Sequence, residues 1–597
     1  MLDLTSCPYE SDNYLVLDFE TTNKNYGSAL IEDNRLVLTV AKTKGYYINW
    51  GNVYDIGELV ERIASVDFIV AHNAKFELQW LERAGLDLTT VKVYDTMIAD
   101  YVIHAALKVP LGLGPVAERY GYKGKEPYVD LAIKGGVCPS EIPKPMLLKR
   151  CLYDVNVTES VFLAQRKVLK ERNLLPVVHT RCILTPVLAD IEKNGMHLSK
   201  ERVTAEYASA SREYAEISRQ LTEYTGGINL NSAKQRAEFI YDTLGIKELT
   251  KRGKPLRTAA DGRKTDQATV LSLKPRNKQQ KEFLELYARR AYLNGKLTKS
   301  LNTYKEVVDN DDILLAQFNQ TTTVTQRLSS SGANYSIQLQ NQPREFKPLF
   351  SARHEGWKMG EIDGAQLEFR VAAFLGQDKK AVNDIIEGFD VHSYTAQVMT
   401  EAGQQTARQE AKAHTFKPLF GGQSGTDAEQ AYYKAFRDKY PGIAAVQQSW
   451  IDQALANDKV VTITGLAYHY PNTTMSRSGY VNNTTSICNY SVQGFATADI
   501  IPIALTYLWH RIREEGLQSF IINTIHDSAV LEIHPDEEEI IREIAEDCFT
   551  LCVYNYLDLV YNIKFNVPLG TGFKCGDHWT EGEEITKSVQ PPFEWLN

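Results

Sequence analysis

The sequence predicts a multidomain chain of mixed α/β and α+β class. Three observations lead there. At about 150 residues per domain, 597 residues make room for roughly four structural units. Over the first 185 residues, short apolar runs alternate with amphipathic stretches, the pattern of a layered α/β unit. After Thr180 the chain turns mainly helical and charged, and strand-like runs return only later, around Asp363 and Asp527.

Composition narrows the class further. Hydrophobic residues make up 43% and charged residues 24%, ordinary for a globular protein and against long disorder. Lysine plus arginine (66) against aspartate plus glutamate (75) gives a net charge of −9, which excludes a uniformly basic coat but leaves room for a basic groove. The eight cysteines form no C-x-x-C pair, so neither a disulfide framework nor a cysteine zinc site is expected. No basic leader opens the chain and no apolar run of about 18 residues occurs, so the expectation is a cytoplasmic protein without a membrane partner.

Taken in order, residues 14–17 and 68–71 read as buried strands, and 76–83 and 155–172 as amphipathic helices. Asp18 and Glu20 follow the run YLVL; two residues apart on a strand, their carboxylates project to one face. The segment IVAHNAKFELQW carries Glu77 one helical turn after Asn73, and RCLYDVNVT places Asp154 at the start of a helix. Four carboxylates on three elements suit two divalent metals held by hard oxygen ligands.

Residues 247–264, KELTKRGKPLRTAADGRK, hold seven basic residues against two acidic, which suits a solvated loop or one gripping a phosphate backbone. Further on, GWKMGEIDGAQLEFR reads as a strand ending at Asp363 and then a helix with Glu368 and Arg370. SFIINTIHDSAVLEIHP reads as a hairpin with His526 and Asp527 at its turn. Between them, Arg408, Lys412, Phe416 and Phe420 recur every four residues, one stripe of two cations and two aromatics on a helix. Such a face suits a triphosphate and a base.

The first set of motifs, LDFETT, HNAKFE and YDVNVT, resembles the DnaQ-like 3′–5′ proofreading exonucleases over about residues 10–175. Two departures stand out: Glu77 where aspartate is commoner, and Arg150 and Lys149 where a tyrosine or histidine usually orients the water, with Tyr153 directly before Asp154. The second set resembles motifs A, B and C of the family A DNA polymerases over about residues 180–585, supported by TVTQRLSSSGANYSIQLQNQP, NYSVQGFATADI and FKCGDHWTE.

The resemblance implies an RNase H-like exonuclease domain (1–185) before a right-hand polymerase (186–597). Thumb would span about 186–330, palm 331–375 and 485–597, and fingers 376–484. It implies proofreading DNA synthesis of bacteriophage replication type, with two Mg²⁺ ions at each site and Mn²⁺ able to substitute. Asp363 and Asp527 would hold one pair of ions, and Asp18, Glu20, Glu77 and Asp154 the other.

Arg408, Lys412, Phe416, Phe420, Glu368 and Gln366 would bind the incoming deoxynucleoside triphosphate, with Glu368 as the gate against a ribose 2′-hydroxyl. Arg327, Gln493, His526, Asn489 and Thr325 would contact primer-template DNA, and the 247–264 loop would track its backbone. A processivity factor, a helicase or a single-strand binding protein would be natural partners. Further departures are Ser528 where an acidic residue often follows the motif C aspartate, Phe420 for tyrosine, Thr485 for arginine, and Pro418 inside the motif B helix, where a kink is expected. The alternatives are an impaired exonuclease and a single-subunit RNA polymerase-like enzyme.

Overall fold

The computed structural model describes residues 2–51, 56–122, 127–251, 254–258, 261–422 and 424–595. Near the N-terminus, five strands form one sheet: β1 (Tyr14–Thr21), β2 (Leu36–Lys42), β3 (Tyr46–Trp50), β4 (Phe68–Ala71) and β5 (Val93–Asp95), in the order β3-β2-β1-β4-β5. β1 runs antiparallel to β2 and parallel to β4, so it lies at the centre. Its apolar run YLVL is largely buried for that reason, and Asp18, half-buried, and Glu20, buried, follow on the same strand.

Two helices bring further carboxylates to this sheet: α1 (Lys75–Arg83) and α2 (Lys144–Glu171). α2 corrects one expectation. Asp154 does not start a helix but lies well inside one, because the chain is already helical from Lys144, with Pro145 in the first turn and no breaker afterwards. Arg150 and Asp154 therefore share a helix face one turn apart.

Helices α3 (Leu175–Cys182) and α4 (Leu184–Asn194) lead on to two long helices, α5 (Lys200–Thr225) and α6 (Lys278–Lys296). Around these, Leu221, Phe239, Ile240, Val270 and Phe283 form a core of their own, apart from the main one.

A second five-stranded sheet is antiparallel throughout: β6 (Lys358–Gly364), β7 (Phe520–Ile525), β8 (Ser528–Ile533), β9 (Leu569–Gly576) and β10 (Ile585–Val589), in the order β7-β8-β6-β9-β10. α7 (Leu367–Leu375) follows β6 directly. The helix expected to run through Phe420 is shorter: α8 spans Arg408–Thr415, and a separate tight turn covers Pro418–Phe420. Proline offers no N–H to bond back to the carbonyl one turn earlier, and Phe416 already leaves helical backbone, so the helix stops rather than kinks. α9 (Thr484–Gly494) packs behind that turn, and α10 (Ile501–Glu514) completes the core.

Buried polar contacts join the N-terminal sheet region to the rest. Glu192 of α4 is buried and accepts from Lys75 and, at 2.6 Å, from Gln79, both on α1. Arg181 of α3 is also buried; its Nη1 donates to Asp499 Oδ1 at 2.6 Å and its Nε to Gln326 Oε1 at 3.0 Å. Removing one partner of a buried ion pair strands the other charge at a cost of about 3–5 kcal/mol. Arg181→Met should therefore lower unfolding stability by about that much, read as a shifted denaturant midpoint. A loss under about 1 kcal/mol would mean water reaches Asp499.

Among the described residues, no helix is long and apolar enough to cross a membrane.

Candidate functional sites

The first site lies where β1, α1 and α2 meet. Asp18 and Glu20 lie near the end of β1 on one face, Glu77 sits in the first turn of α1, and Asp154 comes from α2; Glu20, Glu77 and Asp154 are each at most 5% exposed. Burial, and then the charge of Asp18, pushes the Glu77 carboxyl well above its ordinary range. Glu77 Oε2 accepts no hydrogen bond among the described residues. A buried carboxylate oxygen without a donor, beside two more carboxylates, fits a cation-binding centre.

Two neighbours qualify that fit. The Arg150 guanidinium ion-pairs with Glu20, lies 3.0 Å from Asp130 and comes within 3.9 Å of Asp154, so one internal cation already faces the cluster. Cys151 Sγ donates to Asp18 Oδ2 at 2.9 Å, and atoms of Asp18, Glu20 and Cys151 all lie within 4.8 Å of one another. Tyr153, directly before Asp154, packs against the Val116, Val157 and Val161 cluster. Nearby Asp95 is structural: its oxygens accept from the backbone N–H groups of Asn73 and Ala74 and cap the helix Thr96–Ile103.

The second site is built on the antiparallel sheet. Asp363 ends β6, opposite Ser528 on β8 and opposite Gly572 on β9. Asp527 sits in the tight turn between β7 and β8, where His526 takes φ +59°, and the Asp527 carbonyl accepts from Gly364 N–H at 3.0 Å. Antiparallel pairing thus brings two residues 164 apart in sequence to one sheet end. Both carboxyls are pushed up to about 6, first by burial and then by like charge, from Asp527 on Asp363 and from Glu368 on Asp527. β9 comes close at Gly572, where a Cβ would lie 2.6 Å from Glu584 Oε1 and 2.7 Å from Asp363 Oδ1. That spot is a carboxylate cradle, and it fits divalent cations.

Around this pair, burial raises the Glu368 carboxyl, while Arg327 and a hydrogen bond from Gln493 draw it back. Arg327 is itself largely buried and feels Glu368 and Asp527. His526 is pulled down to about 4 by burial and by Arg327 and Lys347, so its ring is neutral at pH 7. Arg370, beside Glu368 in sequence, is a clamp instead, donating to the carbonyls of Ala365 at 2.7 Å and Pro568 at 2.6 Å.

From α8, Arg408 reaches Asp390 at 2.6 Å and Lys412 is exposed. Phe416 follows the helix end and packs against Phe369 and His392, with ring centroids 6.3 and 5.6 Å away. Phe420 closes the next turn, whose carbonyls at Pro418 and Leu419 accept from Gln447 Nε2 at 3.0 and 2.8 Å.

A family model described as DNA polymerase family A matches residues 200–581. The chain belongs to that family. It is 27% identical over 554 residues to DNA polymerase I of Chloroflexus aurantiacus, a match covering 86% of this chain and 54% of the relative. With the thermostable DNA polymerase I of Thermus thermophilus it shares 26% identity, over 84% of this chain and 57% of the relative. The chain thus spans about half the length of the curated relatives it matches. A solved structure described as the POL domain of Pol1 from M. smegmatis, in complex with DNA primer-template and dNTP, superposes with a TM-score of 0.73 at 19% identity, covering 97% of this chain and 98% of that one. That likeness shows a shared fold.

Within this family A chain, the expected residues fall into two groups. Asp363, Asp527, Glu368, Arg327, Gln493 and His526 converge by contact or by mutual charge effects. Arg408, Lys412, Phe416 and Phe420 line a separate element, while Gln366 starts α7 at φ +51° with its side chain exposed. Asn489 carries a buried Oδ1 without a partner among the described residues. Thr325 is buried, and its carbonyl accepts from Tyr468.

In the 247–264 loop, Arg257 pairs with Glu248 and Arg263 with Asp242, so part of its charge is neutralised internally. Arg252, Gly253, Ala259 and Ala260 of that loop lie outside the described residues. Sequence reasoning missed the Arg181–Asp499–Gln326 node, Glu361 and Glu584. A glutamine before Arg327, at φ +62°, is the one local sign of the first.

Proposed function

We propose that this chain is a template-directed DNA polymerase that extends a primer 3′ end with deoxynucleoside triphosphates and carries its own 3′–5′ exonuclease. The observation that carries the reading is the convergence of Asp363 and Asp527 at one sheet end with Glu368, Arg327 and Gln493 around them. The proposed division is an exonuclease domain over 1–185 with an RNase H-like sheet, then thumb (186–330), palm (331–375 and 485–597) and fingers (376–484).

Two Mg²⁺ ions, when bound at Asp363 and Asp527, would lower the pKa of the primer 3′-hydroxyl and neutralise the triphosphate. The chain's own side chains do the rest. Arg408 and Lys412 would hold the phosphates, and Phe416 and Phe420 the sugar and base, with Gln366 beside them. Arg327, Gln493, His526, Asn489 and Thr325 would line the primer-template, where His526, neutral at pH 7, can accept or donate a hydrogen bond. Minor-groove contacts of this kind sense pair geometry rather than sequence. Asp18, Glu20, Glu77 and Asp154 would hold the exonuclease cations. A second reading, a polymerase with an impaired exonuclease, is favoured by one observation: Arg150 already pairs with Glu20.

Primer extension in Mg²⁺, with and without deoxynucleotides, tests both activities together. Growth of the primer with them and shortening without them is the expected result; neither would overturn the reading.

Sugar selection follows from the same placement. Glu368, largely buried beside Arg327, would crowd a ribose 2′-hydroxyl, whereas Phe416 has no hydroxyl to replace a missing sugar 3′-hydroxyl. Glu368→Ala should relax ribonucleotide rejection alone, and Phe416→Tyr dideoxynucleotide rejection alone. One hydrogen bond to a charged group is worth roughly 1.5–3 kcal/mol, so the second effect should be at least about tenfold. Single-nucleotide incorporation in an exonuclease-deficient variant reads both, and unchanged dideoxy use in Phe416→Tyr would displace this helix from the nucleotide.

A further inference from the structure

Glu361 precedes Asp363 by two residues on β6, so the two side chains leave the same face of the sheet. It is not a loose surface acid. Its Oε2 accepts from Trp579 Nε1 at 3.0 Å, and its Oε1 lies 3.3 Å from Ser528 Oγ, whose single proton it shares with the Ile525 carbonyl at 3.1 Å, while Lys347 Nζ lies 3.9 Å away. Lys347 in turn sits over the Trp579 ring, 4.1 Å from its centroid. The remaining charged neighbours are Lys574, opposite Glu361 on β9, and Glu584, 3.5 Å from Lys574.

Ser528 is the link. It directly follows Asp527 in sequence and directly opposes Asp363 across the sheet, so the residue that contacts Glu361 adjoins both halves of the aspartate pair. The charge of Glu361 reaches both aspartates as a smaller influence, behind burial, Asp527 and Glu584 on Asp363 and behind burial and Glu368 on Asp527. A residue serving only to anchor Trp579 would not need to face them.

We propose that Glu361 is the third carboxylate of the polymerase centre, a positioning residue whose fixed negative charge strengthens divalent-cation binding at Asp363 and Asp527 from beside the Ser528 hydroxyl. This rests on the polymerase reading above. Its physical basis is that two dications gain from a third negative charge that is held in place by its neighbours Trp579 and Ser528. Lys347, stacked on Trp579, limits that charge so that it does not unfold the metal-free sheet end.

The test uses the full chain and two readouts: equilibrium Mn²⁺ binding by electron paramagnetic resonance, and the Mg²⁺ concentration for half-maximal extension. Glu361→Gln should weaken Mn²⁺ binding at one class of sites by about 10–100-fold, the usual effect of losing an outer-shell partner, and raise the Mg²⁺ requirement in step. The Mg²⁺ requirement for degrading single strands should stay put. Glu361→Asp keeps the charge without reaching Trp579 and should retain most of the affinity. Ser528→Glu added to Glu361→Gln returns a carboxylate to the same place and should restore it.

Unchanged Mn²⁺ binding in Glu361→Gln would overturn the proposal. So would a loss that Glu361→Asp shares and Ser528→Glu does not repair, because Glu361 would then be only an anchor for Trp579. If Asp363→Asn also kept full extension and Mn²⁺ binding, the polymerase reading would fall instead, a result distinct from either.

Discussion

Asp527→Ala should reduce primer extension by at least about a thousandfold while single-stranded primers are still shortened. The reasoning is energetic. Cation bridges at a reacting phosphate are worth several kcal/mol, and each 1.36 kcal/mol is about tenfold in rate, so losing about 4 kcal/mol removes about three decades. Asp527 cannot be replaced by a neighbour, because the turn places its carboxylate inside the sheet end and the next residue is Ser528. The same loss should follow Asp363→Ala. Both carboxyls are held up by burial and neighbouring like charge, so neither substitution should unfold the protein; removing a buried like charge relieves strain. Single-turnover extension gives the rate, and a loss under tenfold in either variant would sink the assignment of this pair.

The second large effect is expected at the other sheet. Asp18→Ala combined with Glu20→Ala should stop 3′ shortening and leave extension within a few-fold of wild type. The two residues end β1 of the N-terminal sheet, whereas Asp363 and Asp527 belong to the antiparallel sheet. Degradation at the native rate in the double variant would show that the first cluster has another role. Within the proposed exonuclease reading, Arg150 separates a full activity from an impaired one. Its guanidinium must leave Glu20 and Asp154 before cations can take both, so Arg150→Tyr should lower the Mg²⁺ needed for half-maximal degradation. An unchanged or higher Mg²⁺ requirement would mean that Arg150 supports the reaction instead of competing with it.

The sequence by itself pointed to Asp18, Glu20, Glu77 and Asp154 as one set of carboxylates and Asp363 and Asp527 as another, and to the elements that carry most of them. Asp18 and Glu20 were legible because two carboxylates two residues apart after an apolar strand run share one face, and Asp363 and Asp527 because a strand end and a hairpin turn have local signatures. Tertiary structure decided everything that depends on who stands opposite. Arg150 read as a mere departure until α2 proved continuous from Lys144 and turned it onto Glu20 and Asp154. The Arg408–Phe420 stripe, regular in sequence, divides between a helix and a turn because Pro418 ends hydrogen bonding that periodicity alone cannot sense. Glu361 had no motif at all. Its role arises only from antiparallel register, which sets it beside Ser528, Trp579 and the two aspartates, residues separated by up to 218 positions along the chain, and such pairing is invisible to any local pattern.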